Sequence, residues 1–219
     1  MLKELSEALA PHGIHLRGVV NFAAGDGPVL ADGASALSVV LLGNVGGSIW
    51  TSFAAWRESY GGAHPLDQWS RAVIQPIAEQ MGAEAIFPSD PPWQPFQQWA
   101  MKAEAMRASP LGILIHPVYG LWHGYRGALA FRHPLETVPE ASPHPCASCS
   151  MKPCTTSCPV GAVRADGFNV ARCRAYLRTE AARSTCLASG CVARNACPVG
   201  AEYRYPPAQL RFHMDGLGS

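Results

Sequence analysis

Along the first 132 residues, apolar positions switch between helical spacing and short unbroken runs. Leu2, Leu5 and Leu9 share one helical face, and Ala36 to Leu42 (ALSVVLL) reads as a buried strand that runs into Gly43. A helix is expected from Gly47 to about Tyr60. Another should span Leu66 to Met81, with Asp67 near its start, Gly82 just past its end and Pro76 kinking or interrupting it. Ala83 to Phe87 reads as a short strand, Pro95 to Arg107 as a helix, and Leu111 to Ile115 and Tyr125 to Phe131 as further strands. The pattern predicts an α/β or α+β domain around a mostly buried central sheet.

The pattern breaks at HPLETVPEASPHP, residues 133 to 145, whose four prolines cannot sustain a helix or a central strand. This segment is expected to link a first domain, residues 1–132, to a second, residues 146–219. All eight cysteines lie beyond it, between Cys146 and Cys197. The second part also repeats itself, because Cys158 to Ala162 and Cys197 to Ala201 both read CPVGA. Charge divides along nearly the same line. Residues 1–140 carry eight Lys and Arg against twelve Asp and Glu, and residues 141–219 carry nine against four. No apolar run approaches the roughly 20 residues of a membrane span. The opening MLKELSEALAPHG lacks the apolar core of a secretory signal. The expectation is a cytoplasmic protein in which thiols ligate metal rather than pair as disulfides.

The first cysteine run is C-x2-C-x4-C-x3-C-P: Cys146, Cys149, Cys154 and Cys158. Bacterial two-cluster ferredoxins use C-x2-C-x2-C-x3-C-P, in which the fourth cysteine ligates the other cluster. Cys173, Cys186, Cys191 and Cys197 complete the set, again closing on Cys-Pro. The crossing rule predicts one [4Fe-4S] cluster on Cys146, Cys149, Cys154 and Cys197, and a second on Cys158, Cys173, Cys186 and Cys191. Two structural zinc sites are the rival reading, since zinc also takes four thiolates and C-x2-C pairs. The basic surplus of this half fits the negative charge that two thiolate-ligated clusters bring. Its arginines are scattered rather than gathered in a run, so no nucleic-acid partner is expected.

CASCSMKPCTTSCPVGAV, FNVARCRAYLRTE (168–180) and GCVARNACPVG (190–200) resemble the ferredoxin-like module of epoxyqueuosine reductases and reductive dehalogenases. That resemblance implies two [4Fe-4S] clusters delivering electrons to a bound cobalamin. Upstream, LGILIHPVYGLWHGYRG (111–127) resembles the signature of CblC-type cobalamin-processing proteins, with His116, Pro117, Gly120, Trp122, Arg126 and Gly127 at matching offsets. HPLDQWSRAV (64–73) resembles another segment of the same family through Asp67 and Gln68. This second likeness implies a nitroreductase-like α/β fold whose pocket takes a corrinoid, and it makes His116, Pro117, Gly120, Trp122 and Arg126 candidate cofactor contacts. A flavin is the alternative occupant of such a fold.

All six tryptophans lie in the first 132 residues, where a flat macrocycle would need an aromatic wall; Trp122 and Trp93 are the pocket candidates and the others core. GNVGG (43–47) is expected to be a tight turn between strand and helix; it lacks a dinucleotide fingerprint. No hydrolytic constellation is visible around Ser48 or Ser52, and no motif matches a general acid. The reading is a redox protein, an oxidoreductase, in which two clusters fed by a redox partner reduce a corrinoid or remove its upper ligand. The alternatives are a ferredoxin-type carrier whose first domain docks a partner, and an iron–sulfur flavoprotein.

Overall fold

The computed structural model describes residues 1–137 and 142–218. The chain forms two compact units that do not follow a single cut along the sequence. The first holds Met1–Ala105 and the segment that starts at His123; the second holds Met106–Trp122 together with the chain from Ser142 onward. Segment 106–122, expected in the first domain, is thus built into the cysteine-bearing unit. The expected linker falls partly on residues 138–141, outside the described residues. Its beginning is tied to the first unit, where the side chain of Asn21 donates to Leu135 O at 2.8 Å and accepts from Leu135 N at 3.0 Å.

In chain order the elements are α1 (Leu2–Leu9), β1 (His15–Asn21), β2 (Ser38–Val45), α2 (Trp50–Arg57), α3 (Pro65–Gln80), β3 (Glu84–Ile86), α4 (Phe96–Ala103), β4 (Arg107–Ala108), β5 (Leu114–Ile115) and β6 (His123–Phe131). The first unit is mixed α/β around one antiparallel sheet of order β1-β2-β6-β3. β2 lies inside the sheet, and Val39, Val40, Leu41 and Leu42 are fully buried. Burial of side chains of this size contributes about 2 kcal/mol each. Helix α3 packs against β3 and β6, and α4 against β1. Trp69, Ile74 and Ile77 supply the buried stripe of α3, with Trp69 edge-on to Phe53 at 5.8 Å.

Two local expectations change. Helix α3 runs unbroken through Pro76, because the ring removes one backbone bond while Ile74 on one side and Ile77 and Ala78 on the other hold the helix by packing. Gly43 lies inside β2 rather than in a turn: a Cβ there would stand 2.1 Å from Gly124 O. The β2–β6 register slips at that point, pairing Leu42 with Gly127 and Gly43 with Tyr125, so Arg126 is the extra residue of a bulge.

β1 went unpredicted because Arg17 and Gly18 interrupt its apolar run. Those two residues organise the unit. Arg17 is only 1% exposed; its Nε and Nη2 donate to Glu104 at 2.8 and 3.0 Å, and its Nη1 donates to Asn44 O at 2.9 Å. Tyr125 donates its hydroxyl to the same carboxylate. Burial, and then the Glu104 charge, hold the Tyr125 phenol far above its ordinary range, so it stays a donor. Gly18, at φ +89°, allows the end of α4 to approach, since a Cβ there would meet Ala103 Cβ at 2.8 Å.

Removing one partner of a buried ion pair strands the other charge. Arg17→Ala is therefore expected to lower stability to urea by about 3 kcal/mol. Arg17→Leu combined with Glu104→Leu should cost less than the sum of the two single changes, and strict additivity in that double-mutant cycle would refute the coupling.

Candidate metal centres in the cysteine unit

After β6, the second unit continues through α5 (Pro145–Ser148), α6 (Pro153–Thr156), the hairpin of β7 (Val163–Arg164) and β8 (Gly167–Phe168), α7 (Val170–Leu177), α8 (Glu180–Arg183), α9 (Cys186–Ser189), α10 (Val192–Asn195) and α11 (Pro207–Gly218). Five of these helices, α5, α6, α8, α9 and α10, have four residues each. Single turns of that length do not persist by propensity and depend on what they pack around. The cysteines sit on or beside them. Cys146 is in α5 and Cys149 caps its end; Cys154 is in α6, Cys173 in α7, Cys186 opens α9, and Cys191 is the N-cap of α10. Pro145 and Pro153 each start a turn one residue before a cysteine, where a missing N–H costs nothing.

All eight thiols are free of disulfides. Their mutual electrostatics separate them into two sets. Burial pushes Cys146 up, and then the neighbouring Cys197, Cys154 and Cys149 push it further. Cys154 is raised by burial and then by Cys149; Cys197 is raised by burial and by Cys154 and Cys149, against a lowering N–H from Val199. In the other set, burial and then Cys191, Cys158 and Cys186 raise Cys173. Burial, Cys186 and Cys158 likewise raise Cys191, against N–H groups of Arg194 and Ala193. Cys146, Cys149, Cys154 and Cys197 also line one recess, together with Pro110, Ile115, Lys152 and Val199. Cys158 and Cys191 pack at the edge of the apolar cluster around Ile115, Cys154 and Cys197, so the two sets adjoin. Among the described residues, no three His, Cys, Asp or Glu side chains converge closely enough to hold one metal ion.

Cys158 differs from the rest. Burial raises its thiol, but backbone N–H groups of Val160, Ala162, Val163 and Gly161 outweigh burial and bring it below the ordinary cysteine value. The bond from Ala162 N to Cys158 Sγ is 3.2 Å. The CPVGA loop produces this by turning at Gly161, φ +59°, so that successive amides face the sulfur. The second CPVGA loop turns in the same way at Gly200, φ +64°.

The expected corrinoid contacts divide between the units. His116, Pro117, Gly120 and Trp122 belong to the cysteine unit, and Arg126 to the first. His116 is buried, and its Nδ1 accepts from Val118 N at 3.0 Å and Tyr119 N at 3.1 Å, so that nitrogen carries no proton. Its backbone pairs with Gly120 in both directions, at 2.9 and 3.0 Å, closing a tight turn over Pro117. A Cβ on Gly120 would lie 1.8 Å from Val199 O, and one on Gly200 would lie 2.3 Å from the carbonyl carbon of Tyr119. The two glycines therefore let this turn press on the loop that carries Cys197. Trp122 is fully buried between Tyr205, 5.4 Å away and edge-on, and the guanidinium of Arg194, 4.4 Å over its ring. Arg194 also donates to Leu121 O. The geometry gives His116, Gly120 and Trp122 an internal packing role. Their spacing in the sequence signals only a turn and an aromatic, and the partners that bury them lie some 80 residues later.

Of the other candidates, Trp93 is 77% exposed, Asp67 and Gln68 are exposed at the start of α3, and Trp69 and Trp99 are core. Sequence reasoning missed Pro110 and Ile115 as walls of the first thiol recess, and no local signal marks them.

No protein-family model matches the chain, and no curated protein matches it. Among solved structures, it is similar to epoxyqueuosine reductase from Streptococcus thermophilus, with a TM-score of 0.58 and 13% identity over 93% of this chain and 67% of that one. It is also similar to an epoxyqueuosine reductase solved with an epoxyqueuosine-modified tRNA-Tyr stem loop, with a TM-score of 0.57 and 14% identity over 93% of this chain and 66% of that one. The B12-trafficking protein CblC from C. elegans, a homologue of human MMACHC, gives a TM-score of 0.54 at 13% identity over 99% of this chain and 94% of that one. The chain spans about two thirds of the reductases' length. At these identities the likeness shows the fold, and the mixed α/β unit with its antiparallel sheet fits the nitroreductase-like expectation. The tRNA bound by one neighbour bears on the expectation of no nucleic-acid partner, but at this identity it says nothing specific about this chain. No helix among the described residues is long and apolar enough to cross a membrane.

A lowered pKa leaves more thiolate at neutral pH and a raised one less. In metal-free protein, alkylation of Cys158 should have its pH midpoint below those of Cys146 and Cys173. Peptide mass spectrometry after timed iodoacetamide labelling reads this, and a Cys158 midpoint above the other two would contradict the loop's effect.

Proposed function

We propose that the cysteine unit is a two-cluster electron relay. Cys146, Cys149, Cys154 and Cys197 hold one [4Fe-4S] cluster, Cys158, Cys173, Cys186 and Cys191 hold the other, and the acceptor is a cobalamin-type corrinoid bound with the first unit. The observation that carries this is that Cys146, Cys149, Cys154 and distant Cys197 line one recess while Cys173, Cys186 and Cys191 pack in another cluster, a grouping that fits the crossing of two-cluster ferredoxins. One zinc ion draws its thiolates to about 2.3 Å of a single point. Four thiols around an apolar recess suit a group of several atoms.

Bound clusters supply one-electron chemistry at low potential, tuned by burial and by hydrogen bonds to sulfur. The chain's own part is to exclude water and to direct amides at the sulfurs. The CPVGA loops do this around Cys158 and Cys197. In this reading His116, Gly120 and Trp122 position the Cys197 loop. Arg126, the extra residue of the β6 bulge, is the pocket candidate for an acidic or amide group of the corrinoid. The likeness to an epoxyqueuosine reductase and to a B12-trafficking protein supports a corrinoid acceptor. Reduction of cobalt or reductive removal of its upper ligand is the reaction class proposed, in the cytoplasm and with an external electron donor.

Anaerobically purified protein should contain about eight iron atoms and as many acid-labile sulfides per chain. Cys158→Ser and Cys173→Ser are expected to abolish the same paramagnetic signal of the reduced protein, and Cys158→Ser and Cys154→Ser different ones. Loss of one common signal in Cys158→Ser and Cys154→Ser would defeat the crossed assignment, and zinc without sulfide would defeat the relay.

Added cob(II)alamin should bind and change its visible spectrum, and Arg126→Ala should weaken that binding about tenfold or more. A protein that carries both clusters yet binds no corrinoid would be a ferredoxin-type carrier, and one that retains flavin an iron–sulfur flavoprotein.

A further inference from the structure

We infer that the outer face of α7, with the adjoining β7–β8 hairpin, is the docking surface for an acidic, single-electron carrier protein that loads the Cys158, Cys173, Cys186 and Cys191 cluster. This rests on the two-cluster reading above and names where its electrons enter. Helix α7 carries Cys173, itself only half-buried, between Arg172 and Arg174. At 100° per residue, those two side chains project to either side of the Cys173 direction, and Arg178 lies one turn beyond Arg174. Arg172, Arg174 and Arg178 are all exposed, and none has a carboxylate partner among the described residues. Arg183 on α8 differs, being neutralised by Glu180 at 2.9 Å.

Residues 163–183 hold five arginines against two acids, Asp166 and Glu180. Charge that only offset a cluster would be expected to fold inward, whereas these guanidiniums stand in solvent. Exposed apolar side chains stand at the start of the same helix and in the hairpin before it: Phe168 is 36% exposed and Val170 is 49% exposed. Exposed apolar side chains beside a surplus of one sign of charge are the make-up of a transient interface with a partner of opposite charge. A cluster ligand lies in the same helix turn, so a carrier seated here would sit beside the electron's destination. The step balances simply: a reduced flavodoxin-type carrier loses one electron and is oxidised, one cluster gains it, and no bond is made or broken.

Stopped-flow reduction of the cluster-loaded protein by photoreduced acidic flavodoxin, compared with photoreduced deazariboflavin as a small reductant, tests this. The triple variant Arg172→Glu/Arg174→Glu/Arg178→Glu should cut the flavodoxin rate constant at low salt by about tenfold or more and flatten its salt dependence. Its deazariboflavin rate and cluster signals should match the unaltered protein, and Lys3→Glu/Lys102→Glu on the first unit should change neither rate. Unchanged flavodoxin kinetics in the triple variant overturn the docking surface while leaving the clusters intact. So does loss of RNA stem-loop binding without a kinetic effect, which would make this face a nucleic-acid contact. A shifted cluster potential with both reductants slowed assigns the arginines to charge compensation and likewise overturns docking. Absence of acid-labile sulfide overturns the two-cluster reading and the docking surface with it.

Discussion

The cysteine unit depends on one close backbone crossing. Gly120 and Gly200 meet so tightly that a Cβ on either would fall within 2.3 Å of the other strand's backbone. Both adopt positive φ, 57° and 64°, a conformation that suits glycine and strains other residues. Through this contact the His116–Gly120 turn supports the loop behind Cys197, and Trp122 is capped by Tyr205 and Arg194. A segment from the middle of the chain thereby becomes a wall for cysteines that lie 30 to 80 residues later.

That arrangement explains how four-residue helices persist. Isolated single turns are unstable in water; here α5 and α6 start on a proline followed by a cysteine, α9 starts on buried Cys186, Cys191 caps α10, and α8 buries Ala182. The apolar cluster around Leu111, Ile115, Leu121, Val163 and Ala193 is small for so many turns.

The first unit solves a different problem. Its sheet is covered by helices and stabilised by ordinary apolar burial, yet it keeps a charged cluster of Arg17, Glu104 and Tyr125 inside. Each member is satisfied by hydrogen bonds that reach β1, β2, β6 and the end of α4, so the cluster holds register where the apolar pattern is weakest. The bulge at Arg126 lies next to Tyr125 in β6, so the slip in register falls beside the buried cluster.

Local pattern was enough to read β2, α3, β3 and the core of β6, because continuous apolar runs and a strong helical stripe survive any tertiary context. The eight cysteines and the CPVGA repeat were also legible, since the spacing of thiols and the Cys-Pro close are local features of the chain. β1 was not, because its organising residue is a buried arginine whose partners lie 27 and 87 residues away. Nor were the contacts of Gly120 and Trp122: their sequence neighbourhood names a turn and an aromatic, and only the folded chain brings Val199 against Gly120, and Arg194 and Tyr205 against Trp122. The sequence by itself determined how the eight thiols are spaced along the chain and which loops carry them. Only the tertiary structure decided which residues wall the ligands in, because close packing is a property of distant segments meeting and leaves no mark on either alone.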